Sequence, residues 1–288
     1  MPRTFLVATD LSPRADRAVQ RAFRLARALD AELVLVAVID EDLPVEIARQ
    51  LSEAAEIRLG QFAASMPHSR DVRHDTRIVI GDPARAIPSA AAELGADLLI
   101  LGLHRRRDFL DMIRETTMER IVRHCGRPVL LVHDPADHVY ARVLAALDFG
   151  PASTAALTLA AAIAPEADLF GLHALHVPYR SLIVPHGGAG VAASFRRSAE
   201  MQLKAWRAAE EVPAHLKAVD IVEGAAHLVL SQRIAELKPD LLSLGAHGRV
   251  GAAPALLGSL ANDVMRDPPC DVLIARPAAP ADGDPASA

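Results

Sequence analysis

The sequence predicts two α/β domains, each built on a parallel sheet with helices on both faces. The first observation is an internal repeat, because residues 79–105 (VIGDPARAIPSAAAELGADLLILGLHR) align without a gap with residues 222–248 (VEGAAHLVLSQRIAELKPDLLSLGAHG). In this alignment Gly102 falls on Gly245. The second observation is that short apolar runs alternate with helical patterns in both copies. This alternation is typical of parallel strands joined by right-handed helical crossovers.

The repeat also sets the expected domain boundaries. Two units of about 140 residues fit the usual size of a domain. We therefore expect one domain at residues 1–137 and a second at residues 138–277. The remaining residues, 278–288, are rich in Pro, Ala and Ser, and we expect them to be disordered.

Each element of the first half has its own sequence signal. FLVAT at residues 5–9 is a short apolar run and predicts a strand. Apolar residues at helical spacing predict a helix over residues 13–30, beginning at Ser12 with a proline after it. ELVLVAVI at residues 32–39 is a β-branched run typical of a strand buried on both faces. The alternation continues with a helix at 44–64, a strand at 77–80, a helix at 83–94, a strand at 97–102, a helix at 112–124 and a strand at 128–133.

The second half repeats this order of elements. Its first strand is predicted at residues 143–147, where VLAAL matches the first strand of the first half. The predicted elements that follow are a helix at 153–163, a strand at 168–177, a helix at 194–210, a strand at 217–223, a helix at 227–237, a strand at 240–245, a helix from Ser259 and a strand at 271–276.

The composition argues against several classes of protein. With 51% hydrophobic and 23% charged residues, the chain has the composition of a folded globular protein. A net charge of −5 and an aromatic content of 3% argue against nucleic-acid binding. No apolar run approaches the roughly 20 residues of a membrane span, and no secretory signal is visible, so we expect a cytoplasmic protein without a membrane partner. Cys125 and Cys270 lack metal-ligand spacing, and His173 and His176 should point to opposite faces of their strand.

One motif of the second half carries chemistry. Gly245 and Gly248 follow the fourth strand, and after nine more residues Gly258 and Ser259 open a helix. Glycines let the main chain approach a ligand and adopt positive φ, and the free N–H groups of a helix N-terminus favour phosphate. The Ser259 hydroxyl would be a further donor, or the N-cap of the helix in the absence of a ligand. Asp148 ends the first strand, so it should face the same crevice at the carboxyl edge of the sheet.

This spacing resembles the nucleotide loop of the universal stress protein family, written G-2x-G-9x-G-[S/T], and the resemblance covers residues 3–277. It implies Rossmann-like (adenine nucleotide alpha hydrolase-like) domains with a five-stranded parallel sheet of order 3-2-1-4-5. It also implies an adenine nucleotide, ATP or AMP/ADP, with or without Mg, while the sequence leaves a metal site unknown. In the family, the aspartate serves the ribose and phosphates, and the main chain late in the second strand meets adenine. The positions that match the family's site are Ala146, Leu147, Asp148, Ala174, Leu244, Gly245, His247, Gly248, Gly258, Ser259 and Leu260.

The first half departs from this pattern. Arg105 stands where the second half has Gly248, and Glu115 stands where it has Gly258. A glutamate close to a triphosphate repels it by about 1 kcal/mol in water at 4 Å, and by several times that when partly desolvated. We therefore expect no nucleotide in the first half, and we expect Asp10 to cap the turn at Ser12.

Three functional hypotheses follow from these observations. The leading one is a nucleotide-binding protein of the stress response or of signalling, in which the nucleotide changes conformation or protein partners. The second is a slow ATP hydrolase or phosphotransferase; the motif contains no general base, so we expect at most slow turnover. The third is a nucleotide-free interaction module whose cavity holds an apolar ligand. The resemblance also implies pairing through the fifth strands, here making the chain an intramolecular pseudo-dimer, with a homodimer as a further possibility.

Overall fold

The computed structural model describes residues 3–12, 15–103, 116–177, 189–210, 212–247 and 257–277. Within these residues, strands and helices alternate through both halves. The first half contains β1 (Thr4–Ala8), α1 (Asp16–Leu29), β2 (Glu32–Ile39), α2 (Val45–Ser65), β3 (His74–Ile80), α3 (Pro83–Glu93), β4 (Leu98–Gly102), α4 (Thr117–His124) and β5 (Val129–Val132). The second half contains β6 (Arg142–Ala146), α5 (Pro151–Ile163), β7 (Asp168–Leu175), α6 (Ala189–Ala209), β8 (Leu216–Glu223), α7 (Ala226–Leu237), β9 (Leu241–Gly245), α8 (Ser259–Arg266) and β10 (Asp271–Ala275).

All ten strands form one sheet in the order β3-β2-β1-β4-β5-β10-β9-β6-β7-β8. Within each half the order is 3-2-1-4-5 and neighbouring strands are parallel. The two halves meet where β5 and β10 pair in antiparallel fashion, with Leu130 opposite Leu273. Each half therefore covers the fifth-strand edge of the other, which is the expected pseudo-dimer.

The apolar core forms two layers, one on each face of this sheet, and both layers continue across the junction of the halves. Leu130 and Leu273 are buried in one layer, and Leu131 and Val272 are buried in the other. Strands β5 and β10 are short. Their paired residues nevertheless bury apolar side chains in core layers that both halves share. The pairing is therefore part of the core.

A buried ion pair fixes the segment that connects the halves. Arg21 of α1 and Asp271 of β10 are 1% and 0% exposed, and Nε of the arginine lies 3.1 Å from Oδ2 of the carboxylate, outside hydrogen-bond geometry. Arg21 also donates to the main-chain oxygens of Pro135 and His138, and Tyr140 donates to Asp271 Oδ2 at 2.7 Å. Since these partners come from both halves and from the connection, the ion pair holds all three together.

The boundaries of several elements differ from the prediction. Helix α1 begins at Asp16 with Ala15 as its N-cap, so the predicted start at Ser12 was wrong. Helix α4 begins at Thr117, because the Thr116 side chain accepts from the Glu119 N–H and Glu119 accepts from the Thr116 N–H. Strand β3 begins earlier than predicted, because its first residues lie at the edge of the sheet and are polar. The predicted disordered tail, residues 278–288, lies outside the described residues.

Candidate functional site

A cleft of about 190 Å³ opens at the carboxyl ends of β6, β7 and β9 in the second half. The predicted site residues that line it are Ala146, Leu147, Asp148, Ala174, Leu244, Gly245, His247, Gly258 and Leu260. The lining residues that the sequence prediction missed are Ser153, Leu172, His173, Ala226, Leu230 and Ala261. Gly248 lies outside the described residues. Ser259 is exposed and is not among the lining residues.

Asp148 lies two residues after the end of β6 and is held by the start of α5. Its Oδ1 accepts from the Gly150 N–H at 2.9 Å and from the Ser153 hydroxyl at 2.5 Å. Within the described part of the chain, Oδ2 of Asp148 has no hydrogen-bond partner. One carboxylate oxygen thus fixes the side chain, and the other is left to accept from a ligand hydroxyl or to bind a cation.

Gly245 brings the end of β9 against the first turn of α5. A Cβ atom at this position would lie 2.8 Å from Ser153 N and 2.9 Å from the Ala152 Cβ. Its φ is not positive, so the expectation of a left-handed backbone here was wrong. The glycine is required because β9 and α5 approach each other closely, and this approach places Ser153 beside Asp148.

Gly258 is the N-cap of α8, with φ −65° and ψ 155°. The alternative that Ser259 caps the helix was therefore wrong. Any residue can adopt these angles, and Ser, Thr, Asp and Asn are the usual N-caps. The glycine supplies no side-chain acceptor, and the N–H groups of the first turn of α8 have no partner among the described residues. These donors stand at the rim of a cleft that Gly258, Leu260 and Ala261 line.

Helix α7, which packs on the same core layer as α8, also lacks a side-chain cap. Its N-cap is Ala225, without a side-chain hydrogen bond, and the next residue, Ala226, lines the cleft. Two helix N-termini without side-chain caps therefore border the same cleft. Their dipoles make this region favourable for negative charge.

The loop after β9 is anchored at its base. The Ala246 N–H donates to the Ala275 oxygen at 2.8 Å, and the Gly258 N–H donates to the Ala246 oxygen at 2.8 Å. Between these anchors His247 lines the cleft, and its buried Nδ1 has no partner among the described residues. A buried polar atom of this kind is usually hydrogen-bonded, so a ligand atom would satisfy it.

An aromatic stack supports the β7 side of the cleft. His173 stacks on Phe149, with ring centroids 4.5 Å apart at 24°, and Phe149 packs on Trp206 of α6 at 5.6 Å. The sequence analysis considered His173 only to argue against a joint metal site with His176, and it did not consider Phe149. The available signal was their position, since Phe149 directly follows Asp148 and His173 lies two residues before the end of β7.

At the equivalent place in the first half, side chains cap the helix N-termini. Thr116 caps α4 as described above, and Asp82 caps α3 and also binds Arg120 of α4, with 2.8 Å between Oδ2 and NH2. Asp10 accepts from the Ser12 N–H at 3.0 Å, the hydrogen bond expected of a residue that caps this turn. Arg105 and Glu115 lie outside the described residues.

The described residues contain no group of three or more His, Cys, Asp or Glu side chains placed to hold a metal ion. Among the helices they form, none combines the length and apolar character needed to cross a membrane. Cys125 and Cys270 are buried, and burial raises the pKa of both thiols.

Comparison with known proteins gives the same family for both halves. The model of the universal stress protein family matches residues 1–133 and again residues 140–276. A Staphylococcus aureus protein described as a universal stress protein is 32% identical over 148 residues, which are 47% of this chain and 88% of that protein.

Two solved structures of universal stress proteins span both halves of this chain. A universal stress protein from Archaeoglobus fulgidus has a TM-score of 0.70 at 19% identity, covering 95% of this chain and 98% of its own. One from Pseudomonas aeruginosa has a TM-score of 0.64 at 21% identity, covering 96% and 94%. A universal stress protein in complex with cAMP covers 46% of this chain and 97% of its own, at 26% identity and a TM-score of 0.36.

Proposed function

Since the chain belongs to the universal stress protein family, we propose that its second half binds an adenine nucleotide, ATP or its products ADP and AMP, in the cleft beside Asp148. The first half, placed at residues 1–137, binds none at the equivalent position. The second, placed at residues 138–277, carries the ligand. The nucleotide then changes the conformation or the partners of a cytoplasmic protein that acts in the stress response or in signalling.

The observation that carries this proposal is the glycine at the N-cap of α8. Gly258 has backbone angles open to any residue, so conformation does not require a glycine there. A capping side chain would occupy the first-turn N–H groups and fill the rim of the cleft. Its absence leaves these donors directed to a ligand, and phosphate oxygens are the acceptors that helix N-termini favour.

The rest of the cleft suits the other parts of a nucleotide. Oδ2 of Asp148 is placed to accept from a ribose hydroxyl or to approach a phosphate-bound Mg²⁺. The β7 and α7 walls supply apolar surface from Leu172, Ala174 and Leu230, which suits the faces of a purine ring. The expected adenine contact near Ala174 remains a proposal, as do the roles of Ser259 and Gly248.

The apolar walls also favour one alternative, an apolar ligand in place of the nucleotide. Apolar side chains from β6, β7, β9 and α7 form much of the lining, as in many small-molecule pockets. A slow hydrolase is the other alternative. Asp148 is the acidic side chain among the lining residues, and its Oδ1 is already engaged by the start of α5.

Calorimetric titration of Mg-ATP into nucleotide-stripped protein, with two variants of Gly258, tests the proposal. Gly258→Asp should cap α8 and keep the fold as stable as the parent, but its charge should weaken ATP binding at least tenfold. The reason is a repulsion of about 1 kcal/mol in water that grows on desolvation. Gly258→Asn is the matched control, because it caps equally well without the charge. It should weaken ATP binding only a few-fold.

The outcomes separate the hypotheses. Equal ATP affinity in the parent and both variants would show that the phosphates do not meet α8. No binding of ATP, ADP, AMP or cAMP to the parent would refute the nucleotide proposal and favour the hypothesis of an apolar ligand. Release of phosphate from bound ATP, followed over hours, measures any hydrolase activity in the same samples.

A further inference from the structure

We propose that the first half responds to occupation of the cleft in the second half, because helix α4 of the first half opens together with helix α8 at the cleft. This inference rests on the proposed nucleotide site and gives a role to the half that binds no nucleotide. Two arginines of the second half, Arg266 and Arg276, connect the cleft to the two ends of α4.

Arg266, the last residue of α8, holds the N-terminal end of α4. Its Nε lies 3.2 Å from Oε1 of Glu119. The other carboxylate oxygen, Oε2, accepts from the Thr116 N–H at 2.8 Å and completes the capping box of α4. Although Arg266 is exposed, Glu119 is only 5% exposed, and a buried carboxylate needs its counter-charge. Displacement of Arg266 would therefore weaken the cap of α4.

Arg276, the residue after β10, holds the C-terminal end of α4. Its guanidinium donates to main-chain oxygens at this end, those of Val122, Arg123 and Cys125. The last carbonyl groups of a helix have no partner within the helix, and a cation satisfies them well. Ala275, which directly precedes Arg276, accepts from the Ala246 N–H at the base of the loop after β9. The end of α4 and the cleft loop thus share one anchor.

Both helices are short enough to open as units. Helices α4 (Thr117–His124) and α8 (Ser259–Arg266) have eight residues each, about two turns. A helix of this length is not stable alone, so loss of one turn leaves too few hydrogen bonds to keep the other. Loss of the first turn of α8, where Gly258 provides no side-chain cap, therefore also releases Arg266. A ligand bound to this turn suppresses the opening, and α4 keeps its cap.

The matching positions do not repeat these contacts in the opposite direction. The repeat puts Asn262 where α4 has Glu119, and it puts His133 where the second half has Arg276. Asn262 has no charge, and its side chain donates to the main-chain oxygen of Leu257 in its own half. The Nδ1 atom of His133 lies 2.7 Å from the carboxylate of the next residue. The arginine contacts therefore run from the half with the cleft to the half without one.

Amide hydrogen exchange of the full chain, read by mass spectrometry, tests the inference. Mg-ATP at about ten times its Kd should slow the exchange of α4 by about tenfold, because an opening that releases the ligand is suppressed by this factor. Helix α2, which packs on β2 and β3 at the far end of the sheet, is the internal control and should exchange at an unchanged rate.

A variant separates the coupling of the helices from the nucleotide. Gly258→Asn should cap α8 without any ligand. In the absence of nucleotide it should slow the exchange of α4 by about fivefold, which corresponds to about 1 kcal/mol. The exchange of α2 should again stay as in the parent.

The matched variants are Arg266→Met, Arg276→Met and Arg120→Met, each measured with ATP at about ten times its own Kd. Methionine keeps an apolar stem but has neither the charge nor the donors. Arg266→Met and Arg276→Met should each reduce the effect of ATP on α4, and together they should abolish it. Arg120→Met removes the contact of α4 with Asp82 inside the first half. It should speed the exchange of α4 with and without ATP and leave their ratio unchanged, as a merely structural role for the other two arginines would.

Each result decides the inference. ATP binding in calorimetry without slower exchange of α4, or with equal slowing of α2, would refute it and leave the nucleotide proposal standing. An undiminished effect of ATP in the variant that lacks both arginines would also refute it, and the two single variants decide the point if the double variant does not fold. No binding of ATP to the parent would refute the nucleotide proposal, and Gly258→Asn would still decide whether α4 opens with α8.

Discussion

Replacing Gly245 with alanine tests whether β9 and α5 must approach as closely as the structure shows. The added Cβ would lie 2.8 Å from Ser153 N, 2.9 Å from the Ala152 Cβ and 3.0 Å from the Ala152 carbonyl carbon. Carbon atoms prefer separations of about 3.5–4.0 Å. Two of these three neighbours are main-chain atoms, so no side-chain rotation can relieve the contact. The first turn of α5 would have to move.

The magnitude follows from two opposed effects. Overpacking of this kind costs about 1–3 kcal/mol, whereas exchange of glycine for alanine inside a strand is favourable by about 0.5–1 kcal/mol. Taken from the middle of both ranges, the net expectation is a destabilisation of about 1 kcal/mol. Because Ser153 holds Asp148, the shift of α5 should also displace that carboxylate. We expect the ATP affinity of the variant to fall by about tenfold.

Urea unfolding followed by circular dichroism measures the first effect, and calorimetric titration of Mg-ATP measures the second. Gly60→Ala is the matched control, because a Cβ at Gly60 in α2 would meet nothing within 4 Å. The control should be more stable than the parent by up to about 1 kcal/mol and should bind ATP unchanged. A Gly245→Ala variant as stable as the parent would refute the close-approach argument.

Two further predictions concern the buried ion pair. Asp271→Ala should lower the free energy of unfolding by about 3–5 kcal/mol, because it leaves Arg21 buried without its counter-charge; a urea midpoint like that of the parent would contradict this. Burial, and then Asp271, raise the pKa of Tyr140 well above its usual value, so the unfolded chain loses this proton near pH 10 while the folded chain keeps it. The stability that Tyr140 contributes is therefore complete below about pH 10 and is lost as the pH rises from there towards the folded-state pKa. Tyr140→Phe should reduce the fall of the urea midpoint between about pH 9.5 and 11, and an unchanged fall would show that other groups, such as the Cys270 thiol, cause it.

The sequence predicted the central strands well because their environment leaves a simple pattern. Strands β2 and β4 are covered on both faces, so their residues form continuous apolar runs. Strand β3 lies at the edge of the sheet and starts with His74 and Asp75, both exposed. Polar residues of this kind at an exposed edge give no apolar run, so the prediction began the strand too late.

The sequence predicted the site residues that lie close to the glycine motif along the chain. Residues adjacent to the glycine motif were predicted because the motif fixes their spacing, and Leu244, Gly245 and Gly258 do line the cleft. His173 was missed because the order of the strands, and not its own neighbours in sequence, brings it beside Leu147. Ser153 lies only five residues after Asp148 and was missed because no motif marks it. Ser259 was considered as an alternative cap of α8 because serine is a common capping residue, whereas the backbone turns into the helix one residue earlier, at Gly258.

The difference between the halves lies in the helix N-termini that face each crevice. In the first half Asp82 caps α3 and binds Arg120 of α4, so the two helices are joined across the entrance. The repeat puts Ala225 and Asp263 at these positions, which can neither cap α7 nor form the ion pair. Loss of a cap destabilises a helix by about 1 kcal/mol. Each anionic group at a helix N-terminus stabilises the helix by about 0.3–1 kcal/mol, or by up to about 2 kcal/mol when it is partly buried. A nucleotide with several phosphate charges therefore offsets the cost of the uncapped helices, and the second half is expected to gain stability on binding, while the helices of the first half have caps of their own and need no ligand.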